Sequence, residues 1–188
     1  MSWIQSFTGR AVEPLSMHPS MVCIEDIAHA LAHKCRYTGH SSGFYSVAEH
    51  CVKGSETFKR SDLALAFLLH DAAEAYLPDI TGPIKKYFRV HTPGTAAFTD
   101  PVTFDELEGR VLKAIGRALG DIGSASFDSP EVVAMDIAML LTEKSVLFEK
   151  ALDWNVPGTP AKVKIECWAP AVAEKKYLER FKKLRARR

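Results

Sequence analysis

The chain of 188 residues has no C-x-x-C pair, no long apolar run and no strong net charge. Its four cysteines (Cys23, Cys35, Cys51, Cys167) sit mostly inside apolar segments. That placement excludes a spaced-cysteine framework and predicts reduced, buried thiols. The longest apolar run, Leu63 to Leu69, is far too short to cross a bilayer. Ser2, Gln5 and Ser6 interrupt the early apolar residues, so no cationic-then-apolar leader is read. A cytoplasmic protein away from membranes is the expectation. Neither G-x-x-x-x-G-K-S/T nor G-x-G-x-x-G occurs, which excludes a P-loop and a dinucleotide fold. No nucleophile elbow supports a Ser–His–Asp hydrolase, and no repeat of 20–50 residues supports a solenoid.

What is present is an ordinary globular composition, 47% hydrophobic and 25% charged with a net charge of +1. The length fits one domain, read here as residues 1–188. Charge is uneven within it: from Lys175 onward there are eight Lys/Arg and one Glu. Tyr177, Leu178, Phe181 and Leu184 give that tail an apolar stripe at helical spacing. The tail therefore reads as a solvated basic helix over 170–188, its cations suiting the C-terminal end of the macrodipole. Nucleic acid is not the expected partner.

Residues 1–22 contain Gly9, Pro14 and Pro19 and read as a loop segment with room for a short hairpin. Apolar periodicity predicts helices over Ile24 to Cys35, Phe44 to Phe58, Leu63 to Leu77 and Phe104 to Leu119. Ser61 or Asp62 caps the third of these, which is apolar almost all round and belongs at the centre of a bundle. Ser129-Pro130 is a cap-plus-N1 pair that opens another helix through Leu141. The stretches 91–103 and 153–170 read as loops, the first a candidate lid or oligomer contact. With essentially no strand signal, the fold class is all-α, a bundle of about five to seven helices.

The chemistry sits in the middle of the chain. His70 and Asp71 interrupt the apolar segment AFLLHDAAEAYL, and Glu74 follows four residues after His70, one turn on. Buried acids and imidazoles are costly without a partner, and a divalent cation would satisfy them. His50 closes SVAEH, and Asp136 is a lone acid within VVAMDIAMLL. Together these residues complete a His, His-Asp, Asp set of common metal ligands. His29, His33 and His91 read individually as ordinary core or surface histidines. Lys85, just after the Gly82-Pro83 turn, is placed to add a cation for phosphate, with Lys86 as the fallback.

Two segments carry a family likeness: RYTGHSSGFYSVAEH, Arg36 to His50, and LHDAAEAYLPDITGPIK, Leu69 to Lys85. With the H…HD…D order, the chain from about Ile24 to Phe148 resembles the HD-domain metal-dependent phosphohydrolases. It is most similar to the compact subfamily that includes 5′-deoxyribonucleotidases and phage deoxyadenosine-triphosphate triphosphohydrolases. The resemblance implies a compact helical HD domain in which His50, His70, Asp71 and Asp136 hold a divalent metal (Mn, Co, Zn, Fe or Mg). It implies catalytic roles for Glu74 and Asp79 and a phosphate contact for Arg36. Tyr37 stands where subfamily members carry a Trp that packs on the nucleoside, and its ring still offers a stacking face.

The implied activity is cleavage of the 5′-phosphate ester of a deoxynucleotide. Several basic residues near the site lean it toward a dATP-like triphosphohydrolase, with a 5′-deoxyribonucleotidase as the alternative. A non-catalytic metal- or nucleotide-binding module is the reading from another class, and Glu74 and Asp79 argue against it. A homo-oligomer is expected by resemblance, through the 91–103 loop or the first helix.

Overall fold

The computed structural model describes residues 3–91, 101–119 and 127–186. It is an all-α bundle, its helices denoted α1 (Ile24–His33), α2 (Val47–Thr57), α3 (Ser61–Leu69), α4 (Gly82–Lys85), α5 (Phe104–Leu119), α6 (Pro130–Leu147) and α7 (Pro170–Arg185). Two antiparallel two-stranded ribbons flank it. The first joins β1 (Ile4–Gln5) to β2 (Ala11–Val12), filling the hairpin space in the opening segment. The second joins β3 (Arg89–Val90) to β4 (Val102–Thr103), pairing Arg89 with Thr103 and Val90 with Val102. Most of the expected lid or contact loop, residues 92–100, lies outside the described residues. No helix of the described chain is long and apolar enough to cross a membrane.

The core forms where α1 packs along α7 and α2 along α3. Ile27, Leu31, Leu65, Leu68, Leu69 and Tyr177 are fully buried there. On α7, buried Ala173, Tyr177 and Leu184 are the apolar stripe of the basic tail, while Arg180 reaches back to bond the carbonyl and hydroxyl of Ser55. Those bonds close the C-terminal end of α2, where helix carbonyls lack internal partners. Ser46 caps the other end, its hydroxyl accepting the Glu49 N–H at 3.1 Å. The approach of α2 to α3 is very close at Gly54, where a Cβ would overlap the Phe67 ring.

The helix expected over Leu63 to Leu77 is shorter. It begins at Ser61, with Arg60 rather than Ser61 or Asp62 in the capping position, and it ends at Leu69. A 3₁₀ turn over Ala72–Ala75 follows the break. The cause is competition for carbonyls: His70 Nδ1 donates to the Phe67 carbonyl at 2.7 Å, and the Tyr177 hydroxyl donates to the Leu68 carbonyl at 2.8 Å. Those acceptors belong to the last turn of α3, so the chain turns at the His-Asp pair instead of running through it. At the start of α6, Pro130 occupies the first turn as expected, yet the buried Ser129 hydroxyl has no partner among the described residues. The thiol expectation holds for Cys23 and Cys51, which are buried. All four cysteines are free, but Cys35 is half-buried and Cys167 exposed, since Cys167 lies on an irregular segment with positive φ rather than in the core.

Candidate metal centre

Two helices and the turn after α3 bring His50, His70 and Asp136 together, with Asp71 beside them. His50 comes from the first turn of α2, His70 and Asp71 from the break after α3, and Asp136 from α6. His50 Nε2 lies 3.2 Å from Asp136 Oδ1, 3.4 Å from His70 Nε2 and 3.8 Å from Asp71 Oδ2. His70 Nε2 lies 3.2 Å from Asp71 Oδ1 and 3.8 Å from Asp136 Oδ1. Nitrogen and oxygen ligands about 2.1 Å from a tetrahedral ion stand roughly 3.4 Å apart, so these separations match donors facing a shared cation. His50, His70 and Asp136 can hold a metal ion, as can Cys51, His70 and Asp71. Phe67 backs both imidazoles, with ring centroids 5.5 Å from His50 and 4.5 Å from His70.

Each imidazole is oriented from behind. His70 is fixed by the Phe67 carbonyl, which binds Nδ1–H and leaves Nε2 toward the cluster. His50 Nδ1 lies 2.6 Å from Glu143 Oε1. This is the outer carboxylate or carbonyl that commonly sets the tautomer of a metal-binding histidine. Glu143 is fully buried and also accepts from Tyr45 Oη at 3.0 Å, Arg36 Nε at 3.2 Å and the Tyr37 hydroxyl. Burial would raise its pKa, but Arg36, His50 and Tyr37 outweigh burial and bring it down to about 2.

The donor set is short of positive charge. Burial and Arg36 act to lower the pKa of His50, yet Glu143 and Asp136 leave it raised. Burial likewise opposes protonation of His70, and Asp71, Asp136 and Cys51 raise it well above its ordinary value. Asp136 is pushed up by burial and pulled well below its ordinary range by His50 and His70. Glu143, Asp71 and Asp136 thus favour the charged imidazoles, a role that a divalent cation held by His50, His70 and Asp136 would take over. The residues fit such an ion.

Asp71 and Asp136 form part of the wall of a cavity of about 680 Å³, also lined by Arg36, Tyr37, Glu74, Asp79 and Trp154. Its size suits a small organic ligand. Arg36 Nη1 lies 3.3 Å from Asp71 Oδ2, so its guanidinium spans Asp71 and Glu143. Tyr37 sits at φ 57°, a backbone conformation that costs a non-glycine residue energy. Its ring meets Phe148 edge-on at 5.2 Å and lies 5.9 Å from Trp154, forming an aromatic wall. One buried carboxylate oxygen of Glu74 has no partner among the described residues. Burial, Asp71 and Asp79 push the Glu74 carboxyl up to about 8. Asp79 is exposed at the same cavity. Lys34 donates to the Glu74 and Leu77 carbonyls and so pins the turn that carries Glu74.

Lys85 stands apart from Arg36. It lines an adjoining hollow of about 210 Å³ with His70, Asp71 and Glu74, but its ammonium is paired with Glu108 and lies 3.5 Å from Asp105. Glu143, Tyr45, Lys34 and Trp154 were not among the residues the sequence marked. Glu143 alone left a trace, since it follows Asp136 by seven residues, two turns along one helix face. Glu49 binds the backbone N–H groups of Glu166, Cys167 and Trp168 at 2.6–3.1 Å and ties the 166–168 segment to α2.

No family model matches the chain. It is 41% identical over 86 residues to the uncharacterized protein YfdR of Escherichia coli (strain K12), covering 46% of this chain and 48% of that one. It is 40% identical over 92 residues to an uncharacterized protein of Rhodobacter capsulatus, covering 45% and 47%. The matches thus span about half the length of these curated relatives.

Proposed function

We propose that the protein is a divalent-metal-dependent phosphohydrolase of the HD type, cleaving the 5′-phosphate ester of a deoxynucleotide. The observation that carries this reading is the cluster of His50, His70 and Asp136 with Asp71 beside it, whose two aspartates open on a cavity that also presents Arg36 and an aromatic wall. The bound ion would supply Lewis acidity toward a phosphoryl oxygen and lower the pKa of a coordinated water. Zn, Mn, Co, Fe and Mg all remain open to a His₂Asp₂ set, with ion abundance sharing in the choice.

The protein's own groups do the rest. Glu143 and the Phe67 carbonyl hold the Nδ1 protons of His50 and His70, keeping both Nε2 lone pairs toward the centre. Arg36 binds the non-reacting phosphate oxygens through its planar fork, exchanging Asp71 for the phosphate. Glu74, buried and raised in pKa, holds a proton for the departing 5′-oxygen. Asp79 orients the attacking water from the open side. Tyr37 and Trp154 receive the base by stacking.

The cations argue for a short phosphate chain. Arg36 is the single basic side chain among the described residues lining the larger cavity, which favours a deoxynucleoside monophosphate. The second reading is a triphosphohydrolase, favoured by Lys85 in the adjoining hollow, and it requires Lys85 to leave Glu108 for phosphate. Incubation of the metal-loaded protein with dAMP or dATP, followed by anion chromatography, tests both. Orthophosphate from dAMP supports the first and inorganic triphosphate from dATP the second. No product from any deoxynucleotide with any of the five metals sinks the proposal.

A further inference from the structure

Away from that cavity, α1 carries a second group of potential ligands. His29 and His33 are four residues apart and therefore share one helix face. Glu174, in the first turns of α7, reaches across to them: its Oε2 lies 3.0 Å from His29 Nδ1. The His29 and His33 ring centroids are 4.2 Å apart. One ligand atom from each of the three residues lies within 4.8 Å of the others. We propose that His29, His33 and Glu174 form a second transition-metal site, clamping α1 to α7.

Three features distinguish this group from a chance surface ion pair. His33 Nδ1 lies 2.8 Å from the His29 carbonyl, so the backbone binds Nδ1–H and leaves the Nε2 lone pair available. The Phe7 ring lies flat on His29, at 3.7 Å and 8°, and holds its rotamer against the N-terminal ribbon. Both His29 and Glu174 are partly shielded, with side chains 30% and 24% exposed, while His33 is open to solvent. Two imidazoles and one carboxylate suit a borderline ion such as zinc, nickel, cobalt or copper rather than magnesium or calcium. Three protein ligands leave a remaining position to water. An ion between His29 and Glu174 takes the place of the proton that now bridges them. No residue is shared with the first centre, so the site stands whether or not the chain hydrolyses phosphate esters.

The test is a difference in zinc stoichiometry. The untagged full chain is stripped with chelator, dialysed against micromolar free zinc near neutral pH, and its ions per chain are measured by atomic emission. His33→Gln and Glu174→Gln, both outside the core, are treated alongside, with circular dichroism verifying the fold. Each variant is expected to hold one zinc ion fewer than wild type, and to show a smaller zinc-dependent rise in Tm. His70→Ala distinguishes the two centres, because its loss must add to that of His33→Gln in the double variant. Equal zinc content in wild type and His33→Gln overturns the proposal and leaves His29 and Glu174 a plain hydrogen-bonded pair.

Discussion

Glu143 shows what a single buried carboxylate does for a neighbouring ligand. Four donors converge on it: Arg36, Tyr37, Tyr45 and His50. An amide at this position offers one acceptor oxygen and sets its own N–H groups against those donors. Glu143→Gln is therefore expected to weaken metal binding by about 10–100-fold, read by zinc or manganese titration. It should also destabilise the fold by about 3 kcal/mol, because it leaves part of a buried charge network unpaired. Unchanged affinity would mean that His50 is oriented by something else. Glu74 lines the cavities beside Asp71 and Asp136, and Glu74→Gln should separate the two kinds of role. We expect the metal content to persist and turnover to fall at least about 100-fold, the usual scale for losing a proton-transfer group. Loss of the metal in that variant would place Glu74 among the ligands. That His50, His70, Asp71 and Asp136 lie close together was foreshadowed in the sequence, because acids and imidazoles inside apolar runs demand a partner. Glu143 was not: it follows the apolar run in Thr-Glu-Lys, where an acid looks solvent-facing, and its partners come from about 100 residues earlier.

At the scale of elements, the candidate ligands depend on how tightly α2 lies against α3. The absent side chain of Gly54 admits Phe67, and Phe67 in turn supports both imidazoles. Gly54→Ala should force the ring off its seat, at about 1–3 kcal/mol for overpacking a filled core. A lower urea midpoint together with weaker metal binding is the expected pair of effects; a midpoint equal to wild type would contradict so close a contact. Helical periodicity located α1, α5 and α7, each of which buries one face, whereas α2 is buried without a break from Val47 to Ser55 and α6 was marked chiefly by its Ser129-Pro130 start. It failed after Leu69, where the apolar pattern runs on but the helix stops. The stop is imposed by Tyr177, more than a hundred residues downstream, and by the side chain of His70 itself. Sequence pattern reports burial, and burial continues through the 3₁₀ turn; the hydrogen bonds that end a helix are not encoded in that pattern. The break is also what lets His70 and Asp71 face one point, since successive residues of an unbroken helix diverge by about 100°.

At the scale of the molecule, the candidate centre ties α6 to the closely packed α2–α3 pair. Its ligands come from α2, the turn after α3, and α6, and α6 makes few other contacts with those two helices. An ion bound there in the folded state and not in the unfolded chain stabilises the whole bundle by mass action. With free metal at about 100 times its Kd, the gain is about 2.7 kcal/mol. For a chain of this size that raises Tm by about 5–10 °C. Chelation should lower the transition by that amount and re-addition should restore it. In Asp71→Asn, which loses one candidate ligand charge and the partner of Arg36, the share of the response that belongs to this centre should vanish. The second site enters the same measurement through a different helix pair, so His33→Gln should remove only part of the shift and Asp71→Asn a separate part. A metal response of equal size in wild type and Asp71→Asn would mean that the four converging side chains are not what the ion binds. The cavity beside them would then need another explanation.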